Sequence, residues 1–231
     1  MRPEDAAAIR DLPLFRNARE ETFGALVGAG FLQRSPPGVV LIKEREPADF
    51  LHVVVEGLVE MFASSAGRET SLDIVRPVGV FILAAVLNDD VNLQSARTLQ
   101  RSQVLMIPGE RVREALGADA VFTRAVVSEL ARGYRRTIKG LKNQKLRTGA
   151  ERLGNWLLQE AAARGTNGRI ELAFEKRVLS SLLGMTPENL SRALATIKMH
   201  GVSVRGAEIA IENHRALLAF AQPDPLIDAP E

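Results

Sequence analysis

Between Leu179 and Gly201 the chain reads LSSLLGMTPENLSRALATIKMHG, a spacing that admits little besides two short helices meeting at a tight turn. Val178, Leu179, Leu182 and Leu183 recur at helical intervals, and Gly184 follows where a sharp reversal needs a residue without a Cβ. Met185 fills the corner. Thr186 is placed to accept a hydrogen bond from the free N–H groups of the next helix, and Pro187 at its first position gives up no needed donor. The second helix therefore starts at Pro187, with Leu190, Leu194 and Ile197 at i, i+4 and i+7 as its buried stripe. Glu188, Ser191, Arg192 and Ala195 then project from another face.

Those side chains suit the edges of base pairs. Arg192 offers a planar fork that bonds twice to the Hoogsteen edge of guanine, Glu188 accepts from a cytosine amino group, and Ser191 is small enough to bring the backbone close. Each also has a plainer reading: a carboxylate near a helix start favours the helix dipole, and a Ser-Arg pair is commonly a solvated face. The turn chemistry tips the balance to a major-groove reader, with Thr186, Glu188, Asn189, Ser191, Arg192 and Lys198 as the candidate contact set. Beyond the motif, Val202, Val204, Ile209 and Ile211 alternate on either side of Arg205-Gly206, as in a small β-hairpin, and residues 169–174 supply another short strand. A winged helix-turn-helix is expected.

Charge agrees with that placement. Net charge is only +2, yet residues 130–200 hold 14 Lys and Arg against 5 Asp and Glu, whereas residues 1–129 hold 14 against 18. The positive field is thus concentrated where phosphate contact needs it. The 231 residues suffice for two domains, and the lack of Cys excludes disulfides, thiolate metal sites and cysteine-ligated iron–sulfur clusters from this chain. No signal peptide and no membrane span are read in the sequence, so a cytoplasmic protein without a membrane partner is expected.

Towards the N-terminus, Leu12, Leu14, Phe15, Phe23, Leu26 and Val27 suggest a helical cap, after which residues 39–42, 50–55, 58–62, 71–75 and 103–107 read as short strands punctuated by turn residues. Such spacing suggests an antiparallel barrel or sandwich. From Arg111 to Arg147 the period becomes helical. Val127, Leu130, Tyr134, Thr137 and Leu141 fall at alternating spacings of three and four, a seam for another helix, so a homodimer paired through this helix is expected. Its basic residues, Arg132, Arg135, Arg136, Lys139, Lys142, Lys145 and Arg147, form either an ordinary solvated face or one that lies near DNA or RNA polymerase. Thr148-Gly149 interrupts the pattern and marks a hinge, followed by a helix carrying Leu153, Trp156 and Leu157. The expected organisation is α+β: a β-rich sensor domain over 1–110, a dimerisation helix over 111–147 and the winged domain over 148–231.

This arrangement resembles the Crp/Fnr family of bacterial transcription regulators over nearly the whole chain. The segment PGVVLIKEREPADFLHVVVEGLVEMF is similar to the family's β-roll, a jelly roll of the cyclic-nucleotide-binding kind, with Gly38 and Gly57 at turn positions. Glu188-x-x-Ser191-Arg192 is similar to the recognition pattern of the Fnr branch, which implies half-sites of the TTGAT type arranged as an inverted repeat, bound by a homodimer on double-stranded DNA. FLHVVVEG, FILAAVL, LKNQKLRTGAERL and GMTPENLSRA resemble proteobacterial regulators of the NnrR and FtrB kind, which implies nitric oxide, redox change or another small signal.

Departures from the family bear on the signal. Its cyclic-AMP binders carry a Gly-Glu-Leu phosphate cassette followed by an Arg-Ser pair, so that backbone N–H groups and a guanidinium hold the phosphate. Here the stretch is Gly79-Val80-Phe81-Ile82-Leu83-Ala84-Ala85 and the Arg-Ser slot is Gln94-Ser95. A pocket formed by Phe81, Ile82, Leu83, Gln94 and Ser95 is therefore expected to serve another effector or none. Arg45 stands where many relatives have a turn glycine. His52, His200 and His214 lack metal-site spacing, and a structural role is the preferred reading of each, so no cofactor is expected; if haem binds, His52 is the sensor half's one candidate ligand. No nucleophile–base or carboxylate pair points to an enzyme. The competing class is a ligand-binding signalling module that acts through protein partners, and binding to duplex DNA discriminates the two.

Overall fold

The structure, a computed structural model, describes residues 3–166 and 168–229. It opens with helices α1 (Pro3–Arg10) and α2 (Glu20–Gly28), joined by turns that the Arg10 guanidinium ties down through the carbonyls of Phe15 at 3.0 Å and Ala18 at 2.7 Å. Strands follow: β1 (Phe31–Ser35), β2 (Val40–Ile42), β3 (Phe50–Glu56), β4 (Val59–Ser65), β5 (Arg68–Val75) and β6 (Gly79–Phe81). After the short helix α3 (Leu83–Asn88) come β7 (Ser95–Thr98) and β8 (Ser102–Pro108). They form two antiparallel sheets, ordered β1-β8-β3-β6 and β2-β7-β4-β5.

Apolar alternation explains the stacking. Ile42, Val54, Val59, Met61, Val75, Phe81, Ala96 and Val104 fill one buried cluster shared by the two sheets. The other face of the first sheet, through Leu51, Val53, Leu105 and Ile107, packs against Ile9, Phe15, Phe23, Leu26, Val112 and Phe122. Between β3 and β4 the chain reverses at Gly57, where φ is 89° and a Cβ would lie 2.3 Å from Ser102 Oγ, so only glycine fits. Arg45 adopts φ 70° without being glycine. Its side chain is exposed, and its N–H donates to the Asn92 carbonyl at 2.8 Å.

The helical run expected from Arg111 to Arg147 is two helices, α4 (Gly109–Ala118) and α5 (Ala120–Leu146). Asp119 breaks it. Its carboxylate accepts the N–H groups of Arg19 at 2.7 Å, Val121 at 2.9 Å and Phe122 at 3.1 Å, a cap that competes with continued helix. Those bonds, the Arg19 N–H foremost, pull this carboxyl down to about 2.

The chain divides into two compact units, and the division falls inside α5, between Gly133 and Tyr134. The second unit continues with α6 (Gly149–Arg164), β9 (Arg169–Glu171), α7 (Lys176–Leu182), α8 (Pro187–Lys198), β10 (Val202–Arg205), β11 (Glu208–Ile211), α9 (His214–Ala221) and α10 (Pro225–Asp228). Its own core joins Leu153 and Leu157 of α6 to Leu179, Leu183, Leu190, Ala193, Ile197, Ile170, Ile209 and Leu217. At the expected hinge, Thr148 accepts from the Glu151 N–H while the Glu151 carboxylate accepts from the Thr148 N–H, a reciprocal cap that starts α6. The three-stranded sheet is β10-β11-β9, and the hairpin turns at Gly206-Ala207, because Arg205 still pairs with Glu208; the Arg205-Gly206 placement is one residue early.

Candidate nucleic-acid interface

Two short helices and a glycine build the candidate surface. Gly184 ends the turn after α7 with φ 63°, and a Cβ there would lie 2.2 Å from the Gln144 side chain. The Met185 N–H donates to the Ser180 carbonyl at 2.9 Å, and its side chain packs on the core. Thr186 caps α8, its hydroxyl accepting from the Asn189 N–H at 3.3 Å, and Pro187 follows at the first helical position.

Leu190, Ala193 and Ile197 are the buried stripe of α8, with 2%, 5% and 0% of their surface exposed; Leu194, expected there, is only partly buried because Ala193 lies closer to the centre of the buried face. Thr186, Glu188, Asn189, Ser191, Arg192 and Lys198 are all exposed on this helix or its cap, so the six candidate contacts share one accessible element. The Glu188 carboxyl is held below the usual carboxylate range by a hydrogen bond from the Thr186 hydroxyl, so it is a ready acceptor at neutral pH. Lys176 and Arg177 at the start of α7, and Arg205 beside the wing turn, are further exposed cations.

Arg152 escaped sequence reasoning. From α6 its guanidinium donates to the Leu183 carbonyl at 2.8 Å and the Gly184 carbonyl at 3.4 Å, and it reaches the Arg147 carbonyl at 2.7 Å. It therefore clamps the turn that sets α8. No local pattern marks such a residue.

The chain contains the two modules of one regulator type in order along its length: residues 32–119 match the model of the cyclic nucleotide-binding domain, and residues 151–220 match that of the Crp-like helix-turn-helix domain. The chain belongs to the Crp/Fnr family. Solved structures agree in fold. FixK2 from Bradyrhizobium japonicum is 21% identical, with 87% of this chain and 98% of that chain covered at a TM-score of 0.74. A Eubacterium rectale protein described as a candidate transcriptional regulator of the Crp/Fnr family is 17% identical, with 92% and 99% covered at 0.73. A candidate cAMP-binding regulatory protein from Silicibacter pomeroyi DSS-3 is 25% identical, with 96% and 100% covered at 0.65. No curated protein matches the sequence.

In the sensor unit of this Crp/Fnr protein the five expected effector residues do not share one pocket. Phe81 and Leu83 are 5% and 6% exposed and belong to hydrophobic clusters, Ile82 holds the left-handed position before α3 at φ 58°, and Gln94 is half-buried. Of the five, Ser95 alone lines a hollow of 660 Å³ bounded by Val40, the Lys43–Arg45 loop, Phe62, Ser64 and Val91–Leu93. The apolar character that suggested a ligand wall is spent on the core. Residues 79–95, where the family resemblance places the phosphate cassette, contain no Lys or Arg, and the cations that line the hollow are Lys43 and Arg45.

The histidines are all accounted for by packing or position. His52 is 2% exposed, stacks on Phe81 at 4.9 Å and shares a hydrogen bond between Nδ1 and the Phe50 carbonyl at 2.9 Å; burial drives its pKa down to about 4. His200 stacks on Phe220 at 4.1 Å, and His214 opens α9 in solvent.

On α5 the expected seam is exposed. Val127, Leu130, Tyr134 and Leu141 have 60%, 37%, 70% and 53% of their surface accessible, and Thr137 is exposed beside them. Ile138, which the reading omitted, extends the apolar line. The basic face is less free than the sequence suggests: Arg132 pairs with Glu129 at 2.7 Å, and Arg147 is nearly buried against Asp228. Among the described residues no helix is long and apolar enough to cross a membrane, and no group of three His, Asp or Glu side chains is placed to hold a metal ion.

Proposed function

We propose that this Crp/Fnr protein is a cytoplasmic homodimer that binds an inverted repeat of TTGAT-type half-sites and regulates transcription through RNA polymerase. The observation that carries the reading is α8, a capped helix that buries Leu190, Ala193 and Ile197 and leaves Glu188, Ser191 and Arg192 exposed. Arg192 reads guanine through two parallel bonds, Glu188 accepts from a cytosine amino group, and Asn189 and Lys198 contact the backbone or neighbouring bases. Lys176, Arg177 and Arg205 add phosphate contacts, which makes affinity fall steeply with salt.

Dimerisation through the α5 seam supplies the two-fold symmetry that an inverted repeat demands. The sensor half answers a signal other than cyclic AMP, and no haem is assigned, His52 being enclosed by its own sheet. An anisotropy titration of the protein at fixed salt, with a TTGAT inverted repeat against the same duplex scrambled, tests the reading. Preferential, salt-sensitive binding of the repeat is expected; equal affinity for both duplexes rejects it in favour of a module that acts through protein partners.

A further inference from the structure

Arg147, where α5 hands over to α6, is gripped from two sides. Its carbonyl accepts from the Arg152 guanidinium, the same group that holds the Leu183 and Gly184 carbonyls of the helix-turn-helix turn. Its own guanidinium forks onto the Asp228 carboxylate through both terminal nitrogens, one at 2.8 Å, and reaches Asn143 Oδ1 at 3.1 Å. The two side chains of this pair are only 7% and 11% exposed. Asp228 also accepts from Gln159 Nε2 at 3.1 Å and from the Asp224 N–H at 2.7 Å, and the Lys139 ammonium donates to the Ala229 carbonyl at 2.9 Å.

The segment that makes these bonds contributes nothing to the core. No residue of α10 is buried, and Leu226 is 72% exposed. Its hydrogen bonds run to Lys139 of α5, to Arg147 just past the end of that helix and to Gln159 of α6. A bidentate charged pair is directional, so it fixes an angle where an apolar contact would allow sliding. We propose that Asp228 is a positioning residue for DNA recognition: by bracing Arg147 it sets the angle between α5 and the recognition helix, and hence the spacing at which two recognition helices meet DNA. This rests on the reading of the protein as a dimer on an inverted repeat.

The test uses the full chain and a set of duplexes: one half-site, and inverted repeats whose half-site separation is stepped one base pair at a time. Wild type should show a sharp optimum close to one helical turn, about 10 base pairs. Asp228→Ala should keep half-site affinity within about twofold but lose about tenfold or more of the full-site advantage, with the spacing optimum flattened, because simultaneous engagement depends on geometry. Should that variant fail to fold by circular dichroism, Asp224→Ala, which removes the cap on the Leu226 N–H and loosens the same turn, is read with the same expectations. An undisturbed optimum with the full-site advantage intact overturns the inference, as does an equal fall in half-site and full-site affinity, which makes Asp228 a stability residue only. If wild type itself gains nothing from a second half-site, the dimer reading fails first and takes this inference with it.

Discussion

Arg192 stands exposed on α8, so its loss should leave the fold intact and fall entirely on recognition. Arg192→Ala is expected to keep the wild-type unfolding midpoint while losing about 1–3 kcal/mol of discrimination for the cognate base. Undiminished preference for the TTGAT repeat over scrambled DNA in that variant sinks the assignment. His52 governs a different observable. Its folded pKa of about 4 lies below the unfolded value of roughly 6.5, so the folded state keeps it neutral where the unfolded chain binds a proton. Stability from this group is therefore complete above about pH 6.5 and falls as pH drops towards 4, by roughly 3 kcal/mol in all. Urea titrations across that window should show the slope in wild type and its loss in His52→Leu; an identical slope in both shows that another group titrates. At this scale the sequence was legible wherever the cause is local. Thr186 and Pro187 announce a helix start because cap and donor lie within three residues of each other, whereas Arg152 and Asp228 act across 31 and 81 residues of chain and leave no local mark.

The elements divide along the same line. β3 and β4 were readable because both are apolar on the face that joins the core, and α8 because its stripe repeats at helical spacing. β1 was missed: only Ser35 of its five residues is buried, and its conformation comes from pairing with β8. β6 is three residues long, and β7, which is not among the expected strands, is held between β2 and β4 by ladder bonds. Asp119 shows the converse, a capping side chain hidden inside an apparently continuous helical period. On α5 the exposed line of Val127, Leu130, Tyr134, Ile138 and Leu141 leads to a sharp expectation. Leu130→Glu sets two like charges face to face across the proposed seam. The variant should sediment as a folded monomer that binds a full site scarcely better than a half-site; a dimer of undiminished affinity means that pairing uses another surface.

For the whole molecule, the absence of any cation in residues 79–95 implies indifference to cyclic AMP. Calorimetry should register no saturable heat with this nucleotide, and its addition should leave operator affinity unchanged; enhanced operator binding would falsify that expectation. The position of the unit boundary inside α5 has a consequence for dissection of the protein. Each unit owns a hydrophobic core, so cutting after Gly133 should yield two fragments that fold. Neither inherits the full pairing stripe, for Val127 and Leu130 go with one and Tyr134, Ile138 and Leu141 with the other. Both fragments are expected to elute as monomers at concentrations where the intact chain is paired, and a single proteolytic nick in mid-helix would silence the regulator while leaving every fold in it standing.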